Sequence, residues 1–327
     1  MAEELFNPFI DLTFDEHFCF LTGTLTNDEI TVFPNWLMED FKLTDEQIEM
    51  MDKTKSYKYS DLKLPCTTEV KNAFNELDQK VHLAYQKGFN GMASLDEELL
   101  FLWSGRIVYG LLYYEMIYER DRLLKQGKEF KLSIPLRKRF SFFHLMLQSL
   151  VEPVDIKTPN PWSIVVFPLK YSEDILSFRN DSINLMFQFG VNGFGFIASL
   201  QDNGIIKEKE AEIIEKIKGH ILHPVQFEEL YARFHYSKYI LQKQPEFDIE
   251  QIEEGIAIQP LPITEKENQP VFGFWDQDIF AQLLSNYWKV YGIEREDILQ
   301  FQKPSLSFLE DPYTKDFIDP ESITLPF

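Results

Sequence analysis

The sequence predicts an α+β protein: a short N-terminal ββα unit, then a larger and mostly helical part that carries a small antiparallel sheet. Three observations predict it. Apolar residues recur at helical spacing over 67–87, and a run from 94 to about 126 is apolar on nearly every face between 99 and 112. Phe-rich, β-prone runs between 163 and 200 are short and separated by turn residues. The 327 residues are 44% hydrophobic and 15% aromatic, with 30 Phe, which is material for a large core and argues against disorder.

In chain order, 1–15 reads as an arm. The runs 18–21 and 30–33 are β-prone, and 22–28 between them is rich in turn residues, so the pair reads as a hairpin. Pro34 suits the first turn of a helix over 35–42, where its missing N–H would have been unpaired anyway. Thr44 and Gln47 are spaced as a capping box and predict a second helix start. A strand is expected within 55–64. The amphipathic helix over 67–87 ends at Gly88 and Gly91. Ser94-Leu95-Asp96-Glu97 is another capping box and opens the long apolar helix, expected to be buried on all sides and central. The next helix spans 136–150. Strands at 163–169, 184–190 and 193–200 predict a three-stranded antiparallel sheet, with Asp202-Asn203-Gly204 as the following turn. Helices follow at 207–218, 224–242 and 276–291. The Pro-containing, charged stretch 244–270 reads as a linker or wrap with an edge strand at 255–263, and 302–327 as extended. The expected division is 1–92, 93–245 and 246–327, the last being a linker, a helix and an extended tail.

Charge narrows the function classes. There are 32 basic and 53 acidic residues, a net of −21. Such a surface repels phosphate backbones on average and suits a partner with a basic surface. Arg137, Lys138 and Arg139 form a local basic triplet, read as a solvated helix start, with phosphate contact as the alternative. Two cysteines, Cys19 and Cys66, are too few for a disulfide scaffold and fit a reducing compartment, a single bridge remaining open. The N-terminus lacks a basic region before an apolar run, so no signal peptide is expected. The apolar run at 99–114 contains Arg106 and falls short of the roughly 20 residues that span a bilayer. A cytoplasmic protein without membrane contact is therefore expected.

The motifs that bear on chemistry lie at the N-terminus. They are Cys19-Phe20-Leu21-Thr22-Gly23, then Ile30-Thr31-Val32-Phe33-Pro34-Asn35-Trp36-Leu37, then Leu64-Pro65-Cys66-Thr67-Thr68-Glu69-Val70-Lys71-Asn72. Their spelling and order resemble the HNH endonucleases that carry CxxCG, EHxFPxWL and PCCxxCNN ahead of a long helix. The resemblance covers 16–88, about a quarter of the chain. It implies a ββα finger in which two CxxC pairs hold zinc, a histidine takes a proton from water, and a second divalent metal stabilises the phosphate.

At each of those positions this chain departs. Cys19 keeps one zinc position, but its partner is Thr22, and the second knuckle reads Thr67 and Val70. Cys66 lies one residue before the expected ligand. A hydroxyl or an isopropyl group does not replace a soft thiolate. The Glu-His pair has become Ile30-Thr31, and a threonine hydroxyl is no general base near neutral pH. Asn72 matches the last polar position. Packing residues of the motif remain: Gly23, Phe33, Pro34, Trp36, Leu37 and Pro65. The resemblance therefore implies a degenerate finger with no cofactor, zinc or Mg²⁺/Mn²⁺ being the alternative should the site be active.

Other candidates read as structural. His17 is taken as an edge residue. His220 and His223 are placed at a helix end where a cation would complement the dipole. His144 with Gln148 is taken as a satisfied core pair, Glu208 with Glu212 as a solvated face. Asp174 and Asp181 have no acid–base partner by spacing. The leading expectation is a non-catalytic interaction or structural protein of HNH-type ancestry. The alternatives are a metal-dependent endonuclease with a non-standard site, and an enzyme of another kind whose site is a deep polar pocket in the larger part.

Overall fold

The computed structural model describes residues 5–50, 55–265, 269–300 and 303–325. The fold is α+β and is organised around one helix. In the N-terminal part, α1 (Pro8–Asp11) starts from an Asn7 cap, and β1 (Glu29–Thr31) leads into α2 (Asn35–Asp40). A two-stranded excursion, β2 (Gln47–Glu49) and β3 (Ser56–Lys58), precedes β4 (Lys63–Pro65). β4 pairs antiparallel with β1, Ile30 opposite Leu64.

Two expectations fail here. Segment 18–21 does not form a hairpin with 30–33; Phe18 bridges Leu25 across a tight turn, and the partner of β1 comes from 63–65. The capping-box spelling at 44–47 starts no helix. No apolar face follows it, and Ile48 instead pairs with Tyr57 between the exposed Gln47 and Glu49. A cap without a buried stripe behind it does not hold a helix.

α3 (Thr68–Tyr85) buries Val70, Phe74, Leu77, Val81 and Ala84, the stripe expected from the sequence, and Thr67 caps it. The short α4 (Gly88–Ala93) leads to α5 (Glu97–Lys125). Its cap is Asp96, whose carboxylate accepts from Glu98 N. Every residue of α5 from Leu100 to Tyr113 is buried. Four neighbours account for this. A Cβ on Gly110 would lie 2.5 Å from Val32 Cγ2, so the N-terminal unit packs directly on the helix backbone. A Cβ on Gly105 would meet Leu147 of α6 (Ile134–Leu147) at 2.6 Å. Arg106 reaches Asp78 of α3 with two hydrogen bonds, at 2.8 and 3.0 Å. Trp103 stands edge-on to Phe189, centroids 5.5 Å apart.

Phe189 belongs to the main sheet. After β5 (Val154–Ile156) come β6 (Ser163–Leu169), β7 (Ser177–Asp181), β8 (Met186–Val191) and β9 (Gly193–Ser199). The last four form an antiparallel sheet in the order β6-β9-β8-β7, one strand more than the three expected. Alternation divides its faces. Phe187, Phe189, Phe194 and Phe196 join the α5 core, which also takes in Phe9, Val32, Leu64 and Ile258. On the opposite face Gly190 and Gly195 pair and make room for Phe227, whose ring a Cβ on either would approach to 2.7 or 2.6 Å.

Phe227 is on α9 (Pro224–Tyr239), reached through α7 (Ile205–Lys209) and α8 (Ala211–Ile217). α9 is buried far beyond a partial core face, because α10 (Gln277–Trp288) covers its other side. The stretch expected as a linker instead builds a sheet: β10 (Phe247–Gln251) and β11 (Ile256–Pro260) with β5, in the order β10-β11-β5. β11 is its central strand, not an edge, and runs parallel to β5. After the short α11 (Arg295–Ile298) the tail is pinned by buried Glu229, which accepts from Ser307 Oγ, Phe308 N and Leu309 N. Among the described residues no helix is long and apolar enough to cross a membrane.

Candidate functional site

The two knuckle-like segments lie side by side. Gly23 N donates to Cys19 O at 2.9 Å, closing a turn in which Gly23 has φ +70°. Phe20 N donates to Pro65 O at 2.7 Å, and Thr26 Oγ1 to Cys66 O at 2.8 Å, tying the first segment to the second. What occupies the ligand positions is packing and capping. Cys19 and Val70 are buried in the main core. Thr67 Oγ1 accepts from Val70 N at 3.3 Å as the α3 cap. Thr22 Oγ1 donates to Thr24 Oγ1 at 3.1 Å. Burial, reinforced by neighbouring Cys19, pushes the Cys66 thiol up to about 12, so it stays protonated at neutral pH. This donor set does not fit a structural zinc, which takes thiolate or imidazole ligands. Thr31 lies in β1 opposite Lys63, and its Oγ1 donates to Asn35 Oδ1 at 3.4 Å. Asn72 is exposed on α3, and among the described residues no hydrogen bond joins it to Thr31.

The other sequence candidates separate clearly. His144 Nε2 meets Phe20 O at 2.8 Å, and Gln148 Nε2 donates to His144 Nδ1 at 3.1 Å, so the two form a core pair that also holds the Cys19 loop, with the His144 ring satisfied and Gln148 Oε1 left without a partner among the described residues. His223 is at a helix end, but at the N-terminus of α9, where its Nδ1 accepts from Val225 N. A proton there would oppose the dipole, and burial lowers its pKa. His220 instead lies tilted against the Phe317 ring, centroids 4.6 Å apart. Arg137 and Lys138 are exposed; Arg139 is tied to Ile183 O and Gln244 Oε1 at 2.7 and 2.9 Å.

A different constellation lines a cleft of about 680 Å³ between β2, β7, α5, α9 and α10. In β7 the alternate residues Ser177, Arg179 and Asp181 face α9. Glu228 of α9 accepts from Arg179 Nε at 2.7 Å and from Ser177 Oγ at 3.1 Å. Two turns further along the same helix, His235 Nε2 stands 2.9 Å from Asp181 Oδ2. Its Nδ1 is 2.5 Å from Tyr287 Oη on α10. The Arg179 guanidinium lies over the Tyr287 ring, 4.7 Å from its centroid.

The proton positions follow from the partners. Asp181 Oδ1 accepts from Ile183 N and Asn184 N, and Oδ2 from Asn184 Nδ2. Burial works against ionisation, yet these bonds and the one from His235 hold the Asp181 carboxyl down to about 2. An ionised carboxylate only accepts, so His235 donates from Nε2 to Asp181, and in the neutral imidazole Nδ1 is the atom left to accept from the Tyr287 hydroxyl. Burial, against the pull of Arg179, pushes the Tyr287 phenol up, so it holds its proton until a base takes it.

Sequence spacing missed this cluster because Asp181 and His235 are 54 residues apart. A signal was present: Glu228, Tyr231 and His235 fall on one face of a helix otherwise rich in apolar residues. Among the described residues, no group of three or more His, Cys, Asp or Glu is placed to hold a metal ion. No protein-family model, curated protein or solved structure matches the chain.

Proposed function

We propose that the N-terminal unit is a degenerate HNH-type finger, and that the protein uses it as a structural and interaction module without nuclease chemistry. The observation that carries this reading is the use made of the site positions. Cys19 and Val70 pack in the core, Thr67 caps α3, and Thr31 bonds to Asn35. The order also suits the ancestry: an antiparallel pair, β1 with β4, running through Cys66 and Thr67 into a long helix.

The motif residues that remain all pack. Phe33 stands edge-on to Tyr59 at 4.7 Å, and Trp36 stacks on His82 at 4.6 Å. Leu37 is buried. The net charge of −21 favours a protein partner with a basic surface over nucleic acid. The test is nicking of supercoiled plasmid by the purified chain in Mg²⁺ or Mn²⁺. No cleavage above background is expected. Cleavage abolished by Thr31→Ala or Asn72→Ala would establish instead an endonuclease with a non-standard site.

A further inference from the structure

We propose that Tyr287 is a nucleophilic hydroxyl at the cleft between β7, α9 and α10, activated by His235 and Asp181, and that it accepts an acyl group from an activated ester. The inference stands apart from the finger and its ancestry. It rests on a hydrogen-bonded chain from Asp181 through His235 to Tyr287, opening onto a cleft of about 680 Å³. A nucleophile, a base within hydrogen-bond reach and a third group that orients the base are the parts such catalysis needs.

The step balances as follows. Tyr287 Oη attacks the acyl carbonyl carbon and forms a C–O bond. The phenolic proton passes to His235 Nδ1, giving an imidazolium that Asp181 faces at 2.9 Å. The carbonyl electrons pass to its oxygen, and Arg179 is the nearby cation for that charge. Its Nε is committed to Glu228, while neither Nη has a protein acceptor among the described residues. When the carbonyl re-forms, the bond to the leaving group breaks, and the leaving group takes the proton from His235. Asp181 is a positioning residue in this scheme; it never touches the acyl group.

The substrate class follows from two constraints. An acyl-tyrosine is an aryl ester, so the incoming group needs a leaving group about as acidic as phenol: an aryl ester or a thioester, not an alkyl ester. The lining also carries Glu49, Glu115 and Asp181 against Arg179, which disfavours a dianionic phosphate and favours a neutral or cationic acyl donor.

The probe is 4-nitrophenyl acetate, with the full chain quenched in acid and its peptides mapped. The expected result is acetylation of Tyr287 faster than of the exposed Tyr239 and Tyr313. His235→Ala should slow it by about 100-fold, the low end of what a general base supplies. Asp181→Asn should slow acetylation of Tyr287 and leave that of Tyr313 unchanged. The charged and titratable groups around His235 are Asp181 and Arg179 of β7, Tyr231 of its own helix, Tyr287 of α10, and Glu49 and Glu115 across the cleft. A network that only supports the fold would leave Tyr287 no more reactive than Tyr313. Equal labelling of the two in the unaltered protein overturns the proposal, whether or not the variants fold.

Discussion

At the residue scale, His144 shows how a polar group becomes part of the core. It is fully buried, and Gln148 donates to its Nδ1, so the neutral ring keeps its proton on Nε2 for Phe20 O. Burial lowers its pKa from 6.5 to about 4, with the Phe20 and Phe6 carbonyls opposing. The folded state therefore resists a proton that the unfolded chain accepts. Its contribution is complete above pH about 6.5 and is lost as pH falls from there to about 4. That loss amounts to about 3 kcal/mol at most. Urea titrations at pH 7, 5.5 and 4 check it: His144→Gln should flatten the decline relative to the unaltered protein, and an unchanged decline would assign it to other groups. The pair was legible in the sequence because four residues separate its members on one helix. The role of His223 was not, because Pro224 marks either a helix end or a helix start, and only the chain beyond it decides which.

At the scale of elements, α5 is where the sequence was most informative and also where it stopped. Apolar residues on every face required a helix buried on all sides. The sequence could not say what lies against each face. Arg106 is the clearest case, since its partner Asp78 is 28 residues earlier on another helix. The Arg106 side chain is fully buried and that of Asp78 is 14% exposed, so the pair is largely shielded from water. Burial raises the Asp78 pKa, with Arg106 acting against it. Removing one member leaves the other charge without its partner. Arg106→Met or Asp78→Leu alone is expected to cost about 3–5 kcal/mol, and the double change much less than the sum. Denaturant midpoints of the three variants measure this; additive losses would show that the two charges do not act as a pair.

The fourth strand of the main sheet was hidden for a similar reason. Ser177, Arg179 and Asp181 make the face toward α9 polar, and on the core face Phe178 is followed by Asn180, so the segment lacks the apolar alternation that marks a strand. Ser177, Arg179 and Asp181 are half-buried against polar partners from α9, Glu228 and His235. The cleft cluster is legible only as the polar face of α9; its members meet only once β7, α9 and α10 are packed.

At the scale of the whole molecule, one core runs from Phe9 through the N-terminal unit and α5 to the main sheet and Ile258. The unit that resembles a zinc-held finger thus has an apolar alternative to metal. Gly110 brings Val32 onto α5, and buried Cys19, Cys66, Leu64 and Val70 occupy the ground where a small finger would need its ion. Binding of zinc by the folded state alone would appear as added stability and would be removed by a chelator. The decisive measurement is elemental analysis of the purified chain together with thermal unfolding in the presence and absence of chelator. A framework held by its own core predicts zinc far below one atom per chain and a midpoint indifferent to chelator. One zinc per chain, with a midpoint that falls on chelation and in Cys19→Ser, would contradict it.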